Sequence, residues 1–444
     1  MNINIARFNA VNLLNKQFKL KPLVYLNQIE LPYSKESDIL LAKEIAAGVI
    51  RWKLRLDYII NSLLSKGINK TNKNIVNILR TGIYQILFTD KLPNYAIVNE
   101  TVEIAKLLKD IKFAGNLVNR ILHDFIREKD NIKYPDKEKN IIEYLSIYYS
   151  HPKELVKHWI SIFGYEDTEE LLKANNQRAN IILRVNKLLS SEKEIEEYLN
   201  NNNINFNRID KYNNIFVLNK ANGNISNNAL FKNGKITIQD TSTILVSNLV
   251  CPEKNSLVLD MCAAPGGKTC FLSELMNNTG IITANDITQK KISLIQENIN
   301  RLKIKNIRLS CCDALELNEK NKFNYILLDA PCSGLGTIRK LPEIKYANRL
   351  TTINNTVELQ RKLLSKAVNL LRDNGVLVYS TCSIEPTENY KNIEWFLNKY
   401  KNFRLDPAEG YIDNFYCKNG YLQIFPHIHN CDGAFAARLI KDNL

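Results

Sequence analysis

The stretch VLDMCAAPGGKTCFLSEL (258–275) governs the reading of the whole chain. An apolar run ends at Asp260, a turn carrying Pro265, Gly266 and Gly267 follows, and helical spacing resumes at about Lys268. Small residues let a backbone come close to a ligand, and a helix N-terminus offers free N–H groups. The stretch is neither the GxGxxG dinucleotide signature nor the GxxxxGK[ST] phosphate loop. GGKT (266–269) is like the end of the latter, but the preceding APG supplies no phosphate cradle, which argues against an ATPase.

Working outward, SLVLD (256–260), GIITAND (280–286), NIRLSCCD (306–313), YILLD (325–329) and GVLVYS (375–380) are short and almost continuously apolar. Strands buried on both faces have that texture. Helical segments between them predict right-handed crossovers and an α/β fold with an open, mostly parallel sheet. Upstream, ANIILRVN (179–186) and NIFVLN (214–219) read as strands and SEKEIEEYLN (191–200) as a helix between them. The polar stretch DNIKYPDKEKN (130–140) reads as a linker, followed by two short helices in ELVKHWISIF (154–163) and TEELLKA (168–174). Before it the pattern is helical throughout. Val98, Val102, Ile104, Ala105 and Leu108 share one face, as do Leu117, Ile121, Leu122 and Phe125. The expected domains are a helical bundle over 1–130, a linker with short helices over 131–178, a small α+β subdomain over 179–240 and a catalytic domain over 241–444.

The whole-chain figures agree with an intracellular, anion-binding protein. At 444 residues two or three domains are expected. Sixty Lys and Arg against 46 Asp and Glu leave a formal charge of +14, which favours a polyanionic partner. The same excess is also read as a proteome-wide taste for Asn, Lys and Ile. No signal peptide or bilayer-length apolar run is found, so no membrane association is expected. Nine scattered cysteines without a CxxC pair, and five histidines, make no metal-ligand pattern. A reduced cytoplasmic enzyme without a metal fits best.

The strand ends outline a pocket. Asp286 closes the second strand, where a carboxylate accepts bonds from ribose hydroxyls, and Asp313 closes the third, near the place of an adenine ring. With the first loop they describe a nucleoside site, which on this ground alone also suits NAD. The fourth and fifth strands run into DAPCSGLG (329–336) and YSTCS (379–383). Neighbouring strands lie about 4.8 Å apart, so Cys332 and Cys382 are expected to face one cleft beside the cofactor. A thiol is wanted where the acceptor is C5 of cytosine, a poor nucleophile. Thiolate addition to C6 turns the ring into an enamine whose C5 attacks a methyl group. A lowered thiol pKa would help, as would a bond from Asp329 to N3 of the ring. Spacing does not say which cysteine attacks. Arg339, Lys340 and Lys345 in IRKLPEIK (338–345) are expected to meet the target's phosphates, and the base must be unstacked.

LDMCAAPGGKT (259–269), DAPCSGLGTIRKLPEIK (329–345) and YSTCSIEPTEN (379–389) are long, uncommon strings, and through them the chain resembles the bacterial ribosomal RNA small subunit methyltransferase B family. YYSHP (148–152), LLKANN (171–176), LRVN (183–186), IQD (238–240) and CDGAFAARLIK (431–441) support the likeness. VNETVEIAK (98–106) and FAGNLVNRIL (113–122) resemble its NusB-like helical domain, so nearly the full length is covered. The resemblance implies a Rossmann-like S-adenosylmethionine-dependent methyltransferase acting on one cytosine of 16S ribosomal RNA before the small subunit is complete. By position it makes Cys382 the nucleophile, Cys332 the partner in product release and Asp329 the catalytic acid. Cofactor contacts are expected from Cys262, Ala263, Ala264, Pro265, Gly266, Gly267, Lys268, Asp286, Asp313 and Asp329. Departures are mild: Lys153–Glu154 follow YSHP where Trp is usual, and Ala434 stands in a DGFF-like tail. A monomer is expected. The helical domain argues against a transfer RNA enzyme. A DNA cytosine enzyme has no need of Cys382, and DAPC lacks the second proline and aromatic ring of adenine N6 enzymes. A purely RNA-binding module would have no use for two cleft thiols.

Overall fold

The computed structural model describes residues 4–18, 26, 29, 31, 35–89, 92–108, 111–209, 211–218, 225–347 and 349–443. The chain forms two compact units, one of residues 1–177 with 338–349, the other of 178–337 with 350–444.

The first unit is helical. Six helices, Ile5–Gln17, Glu36–Arg51, Lys53–Leu63, Lys73–Phe88, Asn94–Lys106 and Ala114–Glu128, enclose a core containing Leu14, Val49, Ile59, Leu79, Val98, Leu122 and Phe125. The expected apolar faces turn inward: Val98, Ile104, Ala105, Ile121, Leu122 and Phe125 are buried, and Val102, Leu108 and Leu117 pack against them at the margin. Three more helices follow, Ile141–Tyr148, Lys153–Phe163 and Tyr165–Asn176. The first lies just beyond the stretch read as a linker; it is short, and the Asn140 side chain caps it by accepting the Glu143 N–H at 3.1 Å.

The segment 338–349 corrects the sequence reading. Arg339 and Lys345, expected at phosphates, are 2% and 4% exposed. Lys345 Nζ donates to the carbonyl oxygens of Arg51 and Ser150, both at 3.1 Å, and to Asn176 Oδ1 at 2.8 Å. Arg51 and Asn176 are the last residues of their helices and Ser150 follows the end of another, so the Lys345 amino group sits where three helix C-termini converge, and their carbonyls oppose the downward pull of burial and of Arg51 on its pKa. Its three hydrogens meet three acceptors. Around it, Arg51 Nη2 donates to the Arg339 carbonyl at 2.8 Å, Glu343 Oε1 accepts the Leu26 N–H at 2.9 Å, and the Tyr346 hydroxyl donates to the Ile50 carbonyl at 3.2 Å. Of the three basic residues only Lys340 is exposed.

The second unit holds two sheets among the described residues. Strands β1 (Ile181–Val185), β2 (Phe206–Ile209), β3 (Tyr212–Leu218) and β4 (Ile236–Ile238) form an antiparallel sheet in the order β2-β3-β1-β4, with the helix Glu192–Asn201 between β1 and β2 in sequence. Residue 219, the last of the NIFVLN stretch, lies outside the described residues. The large sheet contains β5 (Leu257–Asp260), β6 (Ile281–Asp286), β7 (Ile307–Cys311), β8 (Phe323–Asp329), β9 (Leu371–Thr381), β10 (Phe403–Asp406), β11 (Cys417–Lys418), β12 (Tyr421–Ile424) and β13 (Ala434–Lys441). Its order is β11-β12-β13-β9-β8-β5-β6-β7, with β10 also on β13. The run β9-β8-β5-β6-β7 is parallel, and β13 adds an antiparallel half beyond β9.

Two arginines join the small sheet to the helices of the large one. Arg184, fully buried on β1, pairs with Glu274, donates from Nε to Gln239 Oε1 at 2.7 Å and lies 4.1 Å from the Phe271 ring centroid. Arg301 donates to the carbonyls of Phe231 and Ile236, both at 3.1 Å, and to Thr237 Oγ1 at 2.7 Å. Glu274 and Phe271 belong to the helix Gly267–Leu275 that opens the PGGKT turn. The LRVN and IQD motifs thus act as struts behind that turn. No helix among the described residues is long and apolar enough to cross a membrane, and none of their His, Cys, Asp and Glu cluster as metal ligands.

Two outcomes follow from these buried cations. Arg184→Met strands Glu274 in the interior and lowers unfolding free energy by about 3 kcal/mol, measured by urea titration. Lys345→Met leaves three oxygens without donors and costs about 2 kcal/mol or more. Since Lys345 is buried, that variant keeps the salt dependence of binding to the expected RNA; a shallower slope of log affinity against log salt would restore the phosphate reading.

Candidate active site

The parallel half of the large sheet presents the C-terminal ends of β5, β6, β7, β8 and β9 along one edge, and the predicted residues are distributed along it. Beyond β5 the chain turns through Cys262–Gly267. Gly266 has φ +98°, and a Cβ there would stand 3.0 Å from Ile295 Cγ2 and 3.1 Å from its Cα, so only glycine suits this tight entry to the helix. The turn is tied to β6: Ala263 N–H donates to the Asn285 carbonyl at 2.9 Å and Ala264 N–H to Asp286 Oδ2 at 3.0 Å. Asp286 Oδ1 also accepts from Ile287 N–H at 2.8 Å and Lys291 Nζ at 2.9 Å. Asp286 is therefore a brace of the loop, 4% exposed, as well as the acid at the end of β6. Asp313 stands apart from this group, half-buried, where it caps the turn Ala314–Glu316 by accepting the Leu315 N–H at 2.9 Å.

Below the turn lies Asp260, 1% exposed. Thr269 Oγ1 donates to its Oδ2 at 2.7 Å, while the buried Oδ1 has no partner among the described residues. Burial raises its pKa to about 7, the Thr269 bond opposing this and the charge of Asp329 adding to it. Cys262 is raised to about 12, first by burial and then by Asp260, Asp286 and Asp329, so its thiol is inert beside them.

Lys268 reaches across to β8. Its Nζ lies 2.7 Å from Asp329 Oδ2, and Asp329 Oδ1 accepts the Ser380 hydroxyl at 2.8 Å. Burial acts to lower the Lys268 pKa, but the charge and hydrogen bond of Asp329, with the charge of Cys382, hold it above the ordinary lysine value. A fixed ammonium thus pairs with the carboxylate that ends β8.

The two thiols themselves are in contact: Cys332 Sγ and Cys382 Sγ are 3.1 Å apart, both half-buried and both free. Asp329 and Ser380 are paired in the parallel register of β8 and β9, so the chains leave the sheet at the same level. The Ala330 N–H donates to the Ser380 carbonyl at 2.8 Å and the Gly336 N–H to the Cys382 carbonyl at 3.0 Å. A Cβ on Gly336 would fall 2.2 Å from the Gly433 carbonyl oxygen and 2.9 Å from that of Cys382, so the loops approach closely only because this position is glycine. The DG of the tail motif serves here too, through Gly433 N–H to the Gly336 carbonyl at 2.8 Å.

Sequence reasoning passed over Ser333, Ser380 and Glu388. All three lie inside the strings quoted above, but strings matched whole do not say which polar residues turn inward. Cys332 is pushed well above the usual thiol range, first by its hydrogen bond to Cys382, then by burial and by the Cys382 and Glu388 charges.

Comparison with known proteins gives the family. Residues 247–440 match the family profile described as 16S rRNA methyltransferase RsmB/F, residues 6–127 the NusB family, and residues 151–225 the ferredoxin-like domain of RsmF/B-like methyltransferases. The probable ribosomal RNA small subunit methyltransferase B of Bacillus subtilis is 33% identical over 408 residues, covering 90% of each chain. The ribosomal RNA small subunit methyltransferase B of Cronobacter sakazakii is 31% identical over 416 residues, covering 91% of each. A solved methyltransferase homolog from Pyrococcus horikoshii has a TM-score of 0.60 at 29% identity, covering 68% of this chain and 99% of its own. With relatives alike over nine-tenths of its length and a catalytic fold to match, the chain belongs to the ribosomal RNA small subunit methyltransferase B family.

Proposed function

We propose that the protein methylates C5 of a cytosine in 16S ribosomal RNA, with Cys382 as nucleophile. The observation that carries this reading is the 3.1 Å contact between two free thiols at the ends of adjoining parallel strands, beside Lys268 and Asp329. S-adenosylmethionine supplies an electrophilic methyl group when bound. The residues suit such a ligand: a turn closed around Gly266, a helix N-terminus, and the buried Asp260 Oδ1 with no partner among the described residues. Cys262, Ala263, Ala264, Pro265, Gly266, Gly267 and Lys268 would hold it from the turn, with Asp286, Asp313 and Asp329 along the strand ends.

Of the two sulfurs, Cys332 is the one held well above the usual thiol range, by its contact with Cys382, by burial and by the Glu388 charge, so it keeps its proton while Cys382 attacks. Cys382 adds to C6 of an unstacked cytosine, and electron density flows into the ring and makes C5 nucleophilic. Asp329, held between Lys268 and Ser380, orients the base through N3. After methylation the C5 proton leaves and the C6–S bond breaks. The enzyme is read as a cytoplasmic monomer acting before the small subunit is complete, with residues 1–130 as its RNA-binding part.

Bisulfite sequencing of ribosomal RNA from cells lacking the gene and from complemented cells tests the substrate: one 16S cytosine loses and regains its methyl group. Unchanged 16S RNA with a lost transfer RNA mark sinks the assignment. Cys382→Ala abolishes both transfer and covalent RNA adduct, whereas Cys332→Ala accumulates an adduct stable on denaturing gels; exchanged behaviours reverse the roles. Gly266→Ala, with its Cβ against Ile295, weakens S-adenosylmethionine binding by about tenfold or more in calorimetry.

A further inference from the structure

Behind the two cysteines lies a buried polar layer centred on Glu388, which is fully buried. Its Oε1 accepts the Ser333 N–H at 2.8 Å and Gln360 Nε2 at 3.2 Å, and its Oε2 accepts the Ser333 hydroxyl at 2.6 Å. Ser333 Oγ is in turn 3.0 Å from Ser383 Oγ. Ser333 follows Cys332 and Ser383 follows Cys382, so the carboxylate holds the residue beside one sulfur, and that serine's hydroxyl meets the residue beside the other. The Glu388 backbone is fixed as well, its carbonyl accepting the Tyr379 hydroxyl at 2.6 Å. No lysine or arginine pairs with Glu388 among the described residues. A buried carboxylate is costly, and a serine–serine bridge alone would join the loops without charge. What the charge adds is a field at Cys332, where it disfavours a second anion.

Resting on the cytosine-C5 reading above, we propose that Glu388 is a positioning residue for product release: it fixes the Cys332 loop against the Cys382 loop and keeps the transferable proton on Cys332. In the release step the C5 proton passes to water and the C5–C6 double bond re-forms. The C6–S electron pair stays on the Cys382 sulfur, which takes the proton of the Cys332 thiol across the contact between them. That proton then returns to Cys332, so the pair is restored and one proton has gone to solvent.

The test compares full-length wild type, Glu388→Gln and Ser333→Ala on unmodified 16S RNA transcript with S-adenosylmethionine. Single-turnover methyl transfer, adduct lifetime and the pH profile of release are measured. Glu388→Gln keeps the shape and removes the charge. It prolongs the adduct about tenfold and slows multiple turnover equally, while single-turnover transfer stays within about twofold. Release needs the protonated Cys332 and fails as pH rises through its pKa. Loss of the Glu388 charge lowers that pKa, so the alkaline limb moves to lower pH. Ser333→Ala retains the charge; it prolongs the adduct without moving the limb, and it carries the test if the glutamine variant does not fold. Wild-type release rates in both variants, or equal loss of transfer and release with an unmoved limb, overturn the proposal. Wild-type enzyme that puts no methyl group on cytosine C5 overturns the underlying reading instead.

Discussion

The parallel pairing of β8 with β9 is the constraint on which the site depends. Asp329 and Ser380 lie opposite one another, and their chains rise from the sheet together. Strands lie about 4.8 Å apart, so loops leaving at one level have little distance left to close. The Gly336 and Cys382 backbones close it, and the sulfurs meet at 3.1 Å. A slip of one residue in this register would turn Asp329 to the other face of the sheet and separate it from Lys268. The chemistry is thus set by strand pairing before any side chain is considered.

Much of this was legible because buried parallel strands leave an uninterrupted apolar trace. The five runs that announced β5 to β9 are of that kind, and the residues at their ends needed only the rule that such sheets bind ligands there. The antiparallel strands β10 to β12 were illegible for the opposite reason. Cys417–Lys418 is two residues long, and Tyr421–Ile424 is buried at alternate positions only. β13 is apolar, but a short apolar run does not distinguish an antiparallel strand from a parallel one. In the small subdomain Phe206–Ile209 exposes its middle residues and has no alternation to read.

Charge was misplaced more than shape was. Lysine and arginine following a cleft cysteine suggest phosphate contacts, yet Arg339 and Lys345 are among the most buried cations of the chain. Lys345 finds its partners in the backbone carbonyls of Arg51 and Ser150 at helix ends, groups that no sequence pattern marks as anionic. Arg184 and Lys268 are internal for kindred reasons, one behind the cofactor turn and one across it. A formal +14 therefore overstates the charge offered to RNA from this part of the chain.

The same distinction between charge counted and charge placed separates two chemically identical thiols. Cys332 and Cys382 leave neighbouring strands and touch, so neither geometry nor composition makes one the nucleophile. In the proposed mechanism their surroundings do. Cys332 precedes the serine that a buried carboxylate holds, and its contact with Cys382, burial and that charge push its thiol well above the usual range. A lone thiol against Lys268 would attack well but would have to leave as a bare anion. In the proposed release step a second thiol held neutral by Glu388 gives the departing sulfur a proton at the moment it needs one. An acid with no cation beside it is an odd thing to bury, unless its task is to keep a neighbour from ionising.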